Sequence, residues 1–207
     1  MAIRYLRRYE DRDRMNHWFI ALMFVLAGLS GLAFFHPSLY FFSGLFGGGV
    51  WARILHPFFG VIMVAAFAVL FFRLWRENVF TPADREWVAH SGDMLRGNKA
   101  GMPPVGKYNA GQKGVFWVMS VCLAVLLLTG VMFWQPWFAS SFPILLRRIA
   151  VVLHAASAAA LILGVIMHVY AAIWVKGTVR AMTRGTVTEG WARQNHPLWH
   201  REMTGKQ

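Results

Sequence analysis

Four apolar stretches, Trp18 to Phe35, Ile54 to Leu74, Val115 to Trp134 and Ile149 to Val175, leave this chain few ways to fold. A helix needs about 20 predominantly apolar residues to cross a bilayer, and the stretches run from 18 to 27 residues. Apart from histidine, and from Arg73 at the end of the second, none holds an acid or a base. In lipid each backbone polar group must be satisfied within its own segment, which selects helices for runs of this kind. The sequence therefore predicts an all-α fold, a four-helix transmembrane bundle with spans at about 18–35, 54–74, 115–134 and 149–175. One membrane domain covering residues 1–207 accounts for the chain, with a polar connection at 76–113, a tail at 176–207 and no separate soluble domain.

The net charge of +12 raises the question of nucleic acid, and the distribution of that charge answers it. The segments 1–17, 76–113 and 176–207 hold 17 of the 21 Lys and Arg residues, and Arg73 makes 18. Only Arg53, Arg147 and Arg148 fall on the opposite side of a four-span thread. By the positive-inside rule a multi-pass protein with both termini cytoplasmic is expected. Nucleic acid is not expected as a partner; anionic lipid headgroups are. The first apolar run follows a charged segment without a small-x-small cleavage pattern, so the first span is expected to remain attached. The lone cysteine, Cys122, supports neither a disulfide nor an iron–sulfur cluster and is expected to pack as a small apolar residue.

Histidine carries the chemistry. His17, His56, His154 and His168 lie in or at the mouths of the spans, and an ionisable group at membrane depth is read as functional with a partner to be found. Threading the chain puts His56 and His154 at the outer level. His168 follows His154 by 14 residues, about 21 Å of helix rise and within about 40° of the same face, which returns it to the cytoplasmic level of His17. The pairs are thus His56 with His154 and His17 with His168. Haem iron in electron-carrying proteins takes two axial ligands on opposite faces of the porphyrin, histidine among them. Two pairs at two depths predict two stacked haems, with all four histidines as iron ligands. The other four histidines, His36, His90, His196 and His200, are assigned to loops and tails with no special role; Pro197 between His196 and His200 speaks against a helical metal pair.

A flat macrocycle needs room, and each candidate has a small residue one turn on: Ala21, Gly60, Ala158 and Ala172, with Ala150 and Gly164 one turn earlier on the fourth span. Small residues also serve plain helix packing in membranes. Arg14 and Arg53 each stand three residues before a ligand, on its face, and are expected to pair with haem propionates; interfacial anchoring is the alternative. Asn109 and Gln112 have the spacing of a helix capping box at the mouth of the third span.

The segments Arg14-Met-Asn-His17-Trp18, Arg53-Ile-Leu-His56-Pro57-Phe58, Tyr108-Asn-Ala-Gly-Gln-Lys113 and Trp174-Val-Lys-Gly-Thr178 resemble the cytochrome b (gamma) subunit of respiratory, membrane-bound formate dehydrogenase, the cytochrome b556 family. The resemblance runs from about Arg4 to Glu202 and implies a place in the bacterial inner membrane. It implies two haem b groups held by the histidine pairs given above. It implies a quinone site, for menaquinone or ubiquinone, beside the cytoplasmic haem at Asn109, Gly111, Gln112 and His168. It also implies an iron–sulfur beta subunit, a molybdenum or tungsten catalytic alpha subunit that oxidises formate, and assembly of the heterotrimer into a higher oligomer. The chain itself would be an electron conduit with no catalytic residue for formate. Alternatives are the cytochrome b subunit of a nickel–iron hydrogenase or another oxidoreductase and, in a different class, a haem-free membrane anchor or transporter.

Overall fold

The computed structural model describes residues 3–95 and 101–205; residues 96–100 of the polar connection and the ends 1–2 and 206–207 lie outside the described residues. In chain order the elements are β1 (Tyr5–Arg7), α1 (Asp11–Phe35), α2 (Gly49–Leu74), α3 (Pro82–Ala89), α4 (Ser91–Leu95), α5 (Ala110–Phe133), α6 (Ile144–Trp174), α7 (Thr178–Arg184), β2 (Thr186–Thr188), α8 (Glu189–Asn195) and α9 (Pro197–Thr204). Short 3₁₀ segments occupy Pro37–Phe46, Trp75–Asn78 and Ala139–Ser141. The helices α1, α2, α5 and α6 are long and apolar enough to cross a membrane, one for each expected span.

Each of these helices begins before its apolar run, at Asp11 rather than Trp18, Gly49 rather than Ile54, Ala110 rather than Val115 and Ile144 rather than Ile149. Their C-terminal ends fall within a residue of the expected ones. A helix N-terminus tolerates polar residues because its free N–H groups need acceptors and its dipole favours acids. Asp11 and Asp13 supply the acids in the first turn of α1. The expected box supplies acceptors at α5, where Asn109 N–H donates to Gln112 Oε1 at 3.0 Å and Gln112 N–H donates to Asn109 Oδ1 at 2.9 Å.

The chain forms two compact units, one of Met1–Arg14, Arg73–Trp117 and His168–Gln207, the other of Met15–Phe72 and Val118–Met167. In the second, all four spans contribute to one core: Met23 and Ala27 from α1, Met63 from α2, Cys122 and Leu123 from α5, and Leu161 from α6. Cys122 is packed there as a buried thiol. Other large side chains of the spans, among them Leu22, Val69, Leu128 and Val152, are exposed on the chain, as lipid-facing residues are in a bundle whose exterior is as apolar as its interior.

The first unit holds structure that the sequence had assigned to loop and tail. Strands β1 and β2 pair antiparallel with Leu6 opposite Val187. Gly185, at φ 73°, ends α7 in the left-handed region that glycine adopts without strain. Thr188 then caps α8 through its side chain, accepting from Trp191 N–H at 3.2 Å. Leu6, Ala181, Val187, Trp191, Ala192 and Trp199 close a small core around this turn.

Candidate functional site

The second unit brings His56 and His154 together with their ring centroids 6.2 Å apart and the planes at 69°. Each imidazole has its Nδ1 turned to a neighbouring span. Nδ1 of His56 lies 3.1 Å from Ala27 O and 3.0 Å from Ser30 Oγ. A carbonyl only accepts, so Nδ1 carries the proton and donates; Ser30, whose hydroxyl donates to Leu26 O at 2.7 Å, accepts alongside. His154 repeats the arrangement on α5, with Nδ1 3.0 Å from Thr129 Oγ1 and a hydrogen bond to the backbone of Leu126. The Thr129 hydroxyl donates to Val125 O at 2.6 Å. Both rings are thereby fixed as the tautomer whose Nε2 has a lone pair for a metal.

A glycine follows each hydroxyl residue, and each is a notch for the ring. A Cβ at Gly31 would stand 3.0 Å from His56 Cε1, and one at Gly130 would stand 3.3 Å from His154 Cε1. The small residues on the ligand helices behave differently: a Cβ at Gly60 or Gly164 would meet nothing within 4 Å. Pro57, inside α2 directly after His56, removes the N–H that would bond to the Arg53 carbonyl one turn back.

His17 is half-buried on α1 and meets Trp18 edge-on at 5.5 Å. It belongs to the second unit, whereas His168, exposed on α6, belongs to the first. Beside His17, Asn16 Nδ2 donates to Ala66 O at 2.9 Å and ties α1 to α2. Arg53 is exposed. Arg14 donates to Asp11 Oδ1 at 2.7 Å, Thr183 O at 2.7 Å and Met182 O at 3.2 Å, so its guanidinium holds the end of α7.

At the mouth of α5 the Asn109–Gln112 box sits under α3. The Trp87 indole covers Gly111 so closely that a Cβ there would be 3.1 Å from Trp87 Cη2. Next to it, Lys113 and Asp84 form a buried ion pair at 2.7 Å. Asp84 Oδ2 also accepts from Thr81 N–H at 2.6 Å and Thr81 Oγ1 at 2.9 Å. Burial pushes the Asp84 carboxyl up, and the bonds from Lys113 and Thr81 outweigh it, holding it below the usual carboxylate range.

A family model described as prokaryotic cytochrome b561 matches residues 8–185. The chain belongs to the prokaryotic cytochrome b561 family. Cytochromes of this class are b-type, and haem b is their prosthetic group. Similar proteins include the formate dehydrogenase cytochrome b556(fdo) subunit of Escherichia coli K12, 44% identical over 196 residues that cover 95% of this chain and 92% of that protein. The nitrate-inducible formate dehydrogenase cytochrome b556(Fdn) subunit of the same strain is 41% identical, covering 92% and 88%. The formate dehydrogenase cytochrome b556 subunit of Haemophilus influenzae is 37% identical, covering 94% and 82%.

For this cytochrome b561 chain, sequence reasoning missed the residues that hold the histidines. The Ser30-Gly31 and Thr129-Gly130 dipeptides were visible as a repeated hydroxyl–glycine pair on the two spans that carry neither His56 nor His154. It also passed over His196. That residue is buried, with Nδ1 donating to Gly106 O at 2.8 Å and Nε2 placed 3.3 Å from Arg8 Nη2. Arg8 is buried too, ringed by Trp199, Trp191, Tyr9 and Tyr108, and donates to Lys107 O. His200 pairs with Glu189 at 3.1 Å, and among the described residues no group of three potential ligands is placed to hold a metal ion.

Proposed function

We propose that this chain is the di-haem b electron-transfer subunit of a formate dehydrogenase, carrying electrons across the bacterial inner membrane to quinone. The observation that carries this reading is the His56–His154 pair. An imidazole nitrogen binds a first-row metal at about 2 Å, and the ring centroid lies roughly 1 Å behind that nitrogen, so a bis-imidazole iron separates the centroids by roughly 6 Å. The 6.2 Å separation fits a single iron between the rings, and both rings are hydrogen-bonded through Nδ1. The formate dehydrogenase relatives favour this assembly over a hydrogenase.

His56 and His154 would hold one haem and His17 and His168 the second, the latter pair resting on the depths assigned along the helices. Haem iron, held by these histidines, would supply one-electron transfer. The chain's own work is orientation. Ser30, Thr129 and the carbonyls of Ala27 and Leu126 hold the ligands of the first pair, and the four spans keep water from them. Electrons enter from an iron–sulfur subunit, itself served by a molybdenum or tungsten subunit that oxidises formate. At the far end Asn109, Gly111, Gln112 and His168 frame the quinone. The capping box already uses the acceptor oxygens of Asn109 and Gln112, so each side chain offers its NH₂ group to a quinone carbonyl. With both termini cytoplasmic, quinone takes its two electrons and two protons on the inner side. Electrons moving inward and protons consumed there build a proton-motive force.

The test is haem content per chain of the purified complex, with a formate-reduced minus oxidised visible spectrum. Two haem b per chain, both reduced by formate, are expected, and one is lost in His56→Ala or His154→Ala. A folded, haem-supplied complex with no absorption band at all would return the chain to the class of haem-free anchors and transporters.

A further inference from the structure

The first turns of α6 place Ile144, Arg147, Arg148 and Val151 along a cleft of about 210 Å³ that Phe133 and Gln135 complete. Arg147 is half-buried, and its Nε is shut off from solvent with no hydrogen-bond partner among the described residues. A buried guanidinium N–H left unpaired is costly, so it calls for an acceptor. The chain's own carboxylates do not supply one in this unit: residues 15–72 and 118–167 contain no Asp or Glu. An acceptor brought by a bound group would satisfy it.

The cleft adjoins the histidine pair. Arg147 precedes His154 by seven residues, two helical turns less about 20°, so both lie on one face about 10.5 Å apart along the axis. Val151 lies between them on that face. Phe133 lines the cleft and meets the His154 imidazole edge-on at 5.2 Å. A group bound at the His154 nitrogen and reaching the Arg147 guanidinium would need an anionic end, and the carboxylates of a haem are of that kind.

We propose that Arg147, with the Gln135 amide beside it, binds the propionate carboxylates of the haem held by His154 and His56. The inference rests on the haem reading of that pair and adds a contact on α6 to the one expected of Arg53 on α2. A guanidinium matches a carboxylate with two parallel N–H donors. The exposed Arg148 at the rim adds positive charge without being enclosed. An acidic surface of a partner subunit is the competing occupant, but a docking surface would engage Arg148 and leave the enclosed Nε of Arg147 unsatisfied.

The experiment uses the whole complex, comparing the parent with Arg147→Gln, Arg147→Lys and Arg148→Gln. Resonance Raman spectra of the haem propionate bending modes are read together with the midpoint potential of each haem. In Arg147→Gln a propionate mode shifts and one haem moves to lower potential, because a positive charge that favoured the reduced iron is gone. Arg147→Lys keeps the potential near the parent value, and Arg148→Gln keeps the Raman mode. Selective loss of one haem from Arg147→Gln, with the other retained, carries the same meaning. Unchanged propionate modes and potentials in Arg147→Gln would overturn the inference, and so would loss of a partner subunit with both haems unaltered. A parent complex without haem would instead overturn the reading on which it rests.

Discussion

Ser30 Oγ stands 3.0 Å from Nδ1 of His56, and Thr129 Oγ1 stands at the same distance from Nδ1 of His154. The two imidazoles are thus gripped alike by spans other than their own. A hydrogen bond accepted from the far nitrogen makes an imidazole a stronger donor to its metal and favours the oxidised state. Replacing Thr129 by Val removes that acceptor while keeping shape, and the Leu126 carbonyl remains. A hydrogen bond of about 1 kcal/mol translates to a rise on the order of tens of millivolts in the midpoint potential of one haem. Redox titration of the Thr129→Val complex checks this; a potential equal to that of the parent would show that the hydroxyl does not tune the ligand.

Gly31 and Gly28 lie on one helix and supply their own control. A methyl at Gly31 would press on His56 Cε1 at 3.0 Å, while one at Gly28 would meet nothing within 4 Å. Overpacking a fitted position costs about 1–3 kcal/mol, and here the cost falls on the ring that carries the ligand nitrogen. Gly31→Ala is expected to lower occupancy of one haem, with Gly28→Ala at the parent level, as measured by pyridine haemochrome per chain.

What the sequence reveals and what it hides divide along a physical line. The spans were legible because lipid demands long uninterrupted apolar helices, and the Asn109–Gln112 box because capping is a local relation between residues three apart. The juxtaposition of His56 and His154 was legible because both sit at one depth of a threaded chain. Ser30 and Thr129 offered only a repeated hydroxyl–glycine pair, whose role declares itself when a neighbouring helix brings a histidine to each. Lys113 with Asp84 was hidden for the same reason, the partners being 29 residues apart in sequence. The packing of β1, β2, α7, α8 and α9 escaped because the tail is polar on average, and its core rests on a few residues such as Val187, Trp191 and Trp199.

Breaking a buried ion pair by removing one partner costs about 3–5 kcal/mol, and the Lys113–Asp84 pair ties α3 to the mouth of α5. Lys113→Met is expected to leave Asp84 unpaired and raise amide hydrogen exchange through Pro82–Ala89. The same contact sets a pH limit. Asp84 has a folded pKa below its unfolded one, so its contribution is complete above the unfolded value of about 3.9 and is lost as pH falls through the lower folded value. Exchange in α3 should therefore be flat from neutral pH to about pH 5, once corrected for its intrinsic pH dependence, and rise only below about pH 4. A rise already complete at pH 6 would mean that another group controls the helix.

His196 works in a different window. Burial and the neighbouring Arg8 cation hold its imidazole far below the usual range, at about 3, despite the bond it donates to Gly106 O. The unfolded ring binds its proton near 6.5, so between that value and about 3 the unfolded state holds more protons than the folded one. Stability of this packing is full above about pH 6.5 and declines progressively as pH falls towards 3. Protonation would also set a second cation 3.3 Å from the Arg8 guanidinium, in a cage of aromatic rings. Limited proteolysis of the C-terminal segment should thus accelerate between pH 7 and pH 5 in the parent. In His196→Asn, which keeps a donor for Gly106 O but does not titrate, the rate should change much less over the same interval. Equal acceleration in the two proteins would assign the pH response to another group.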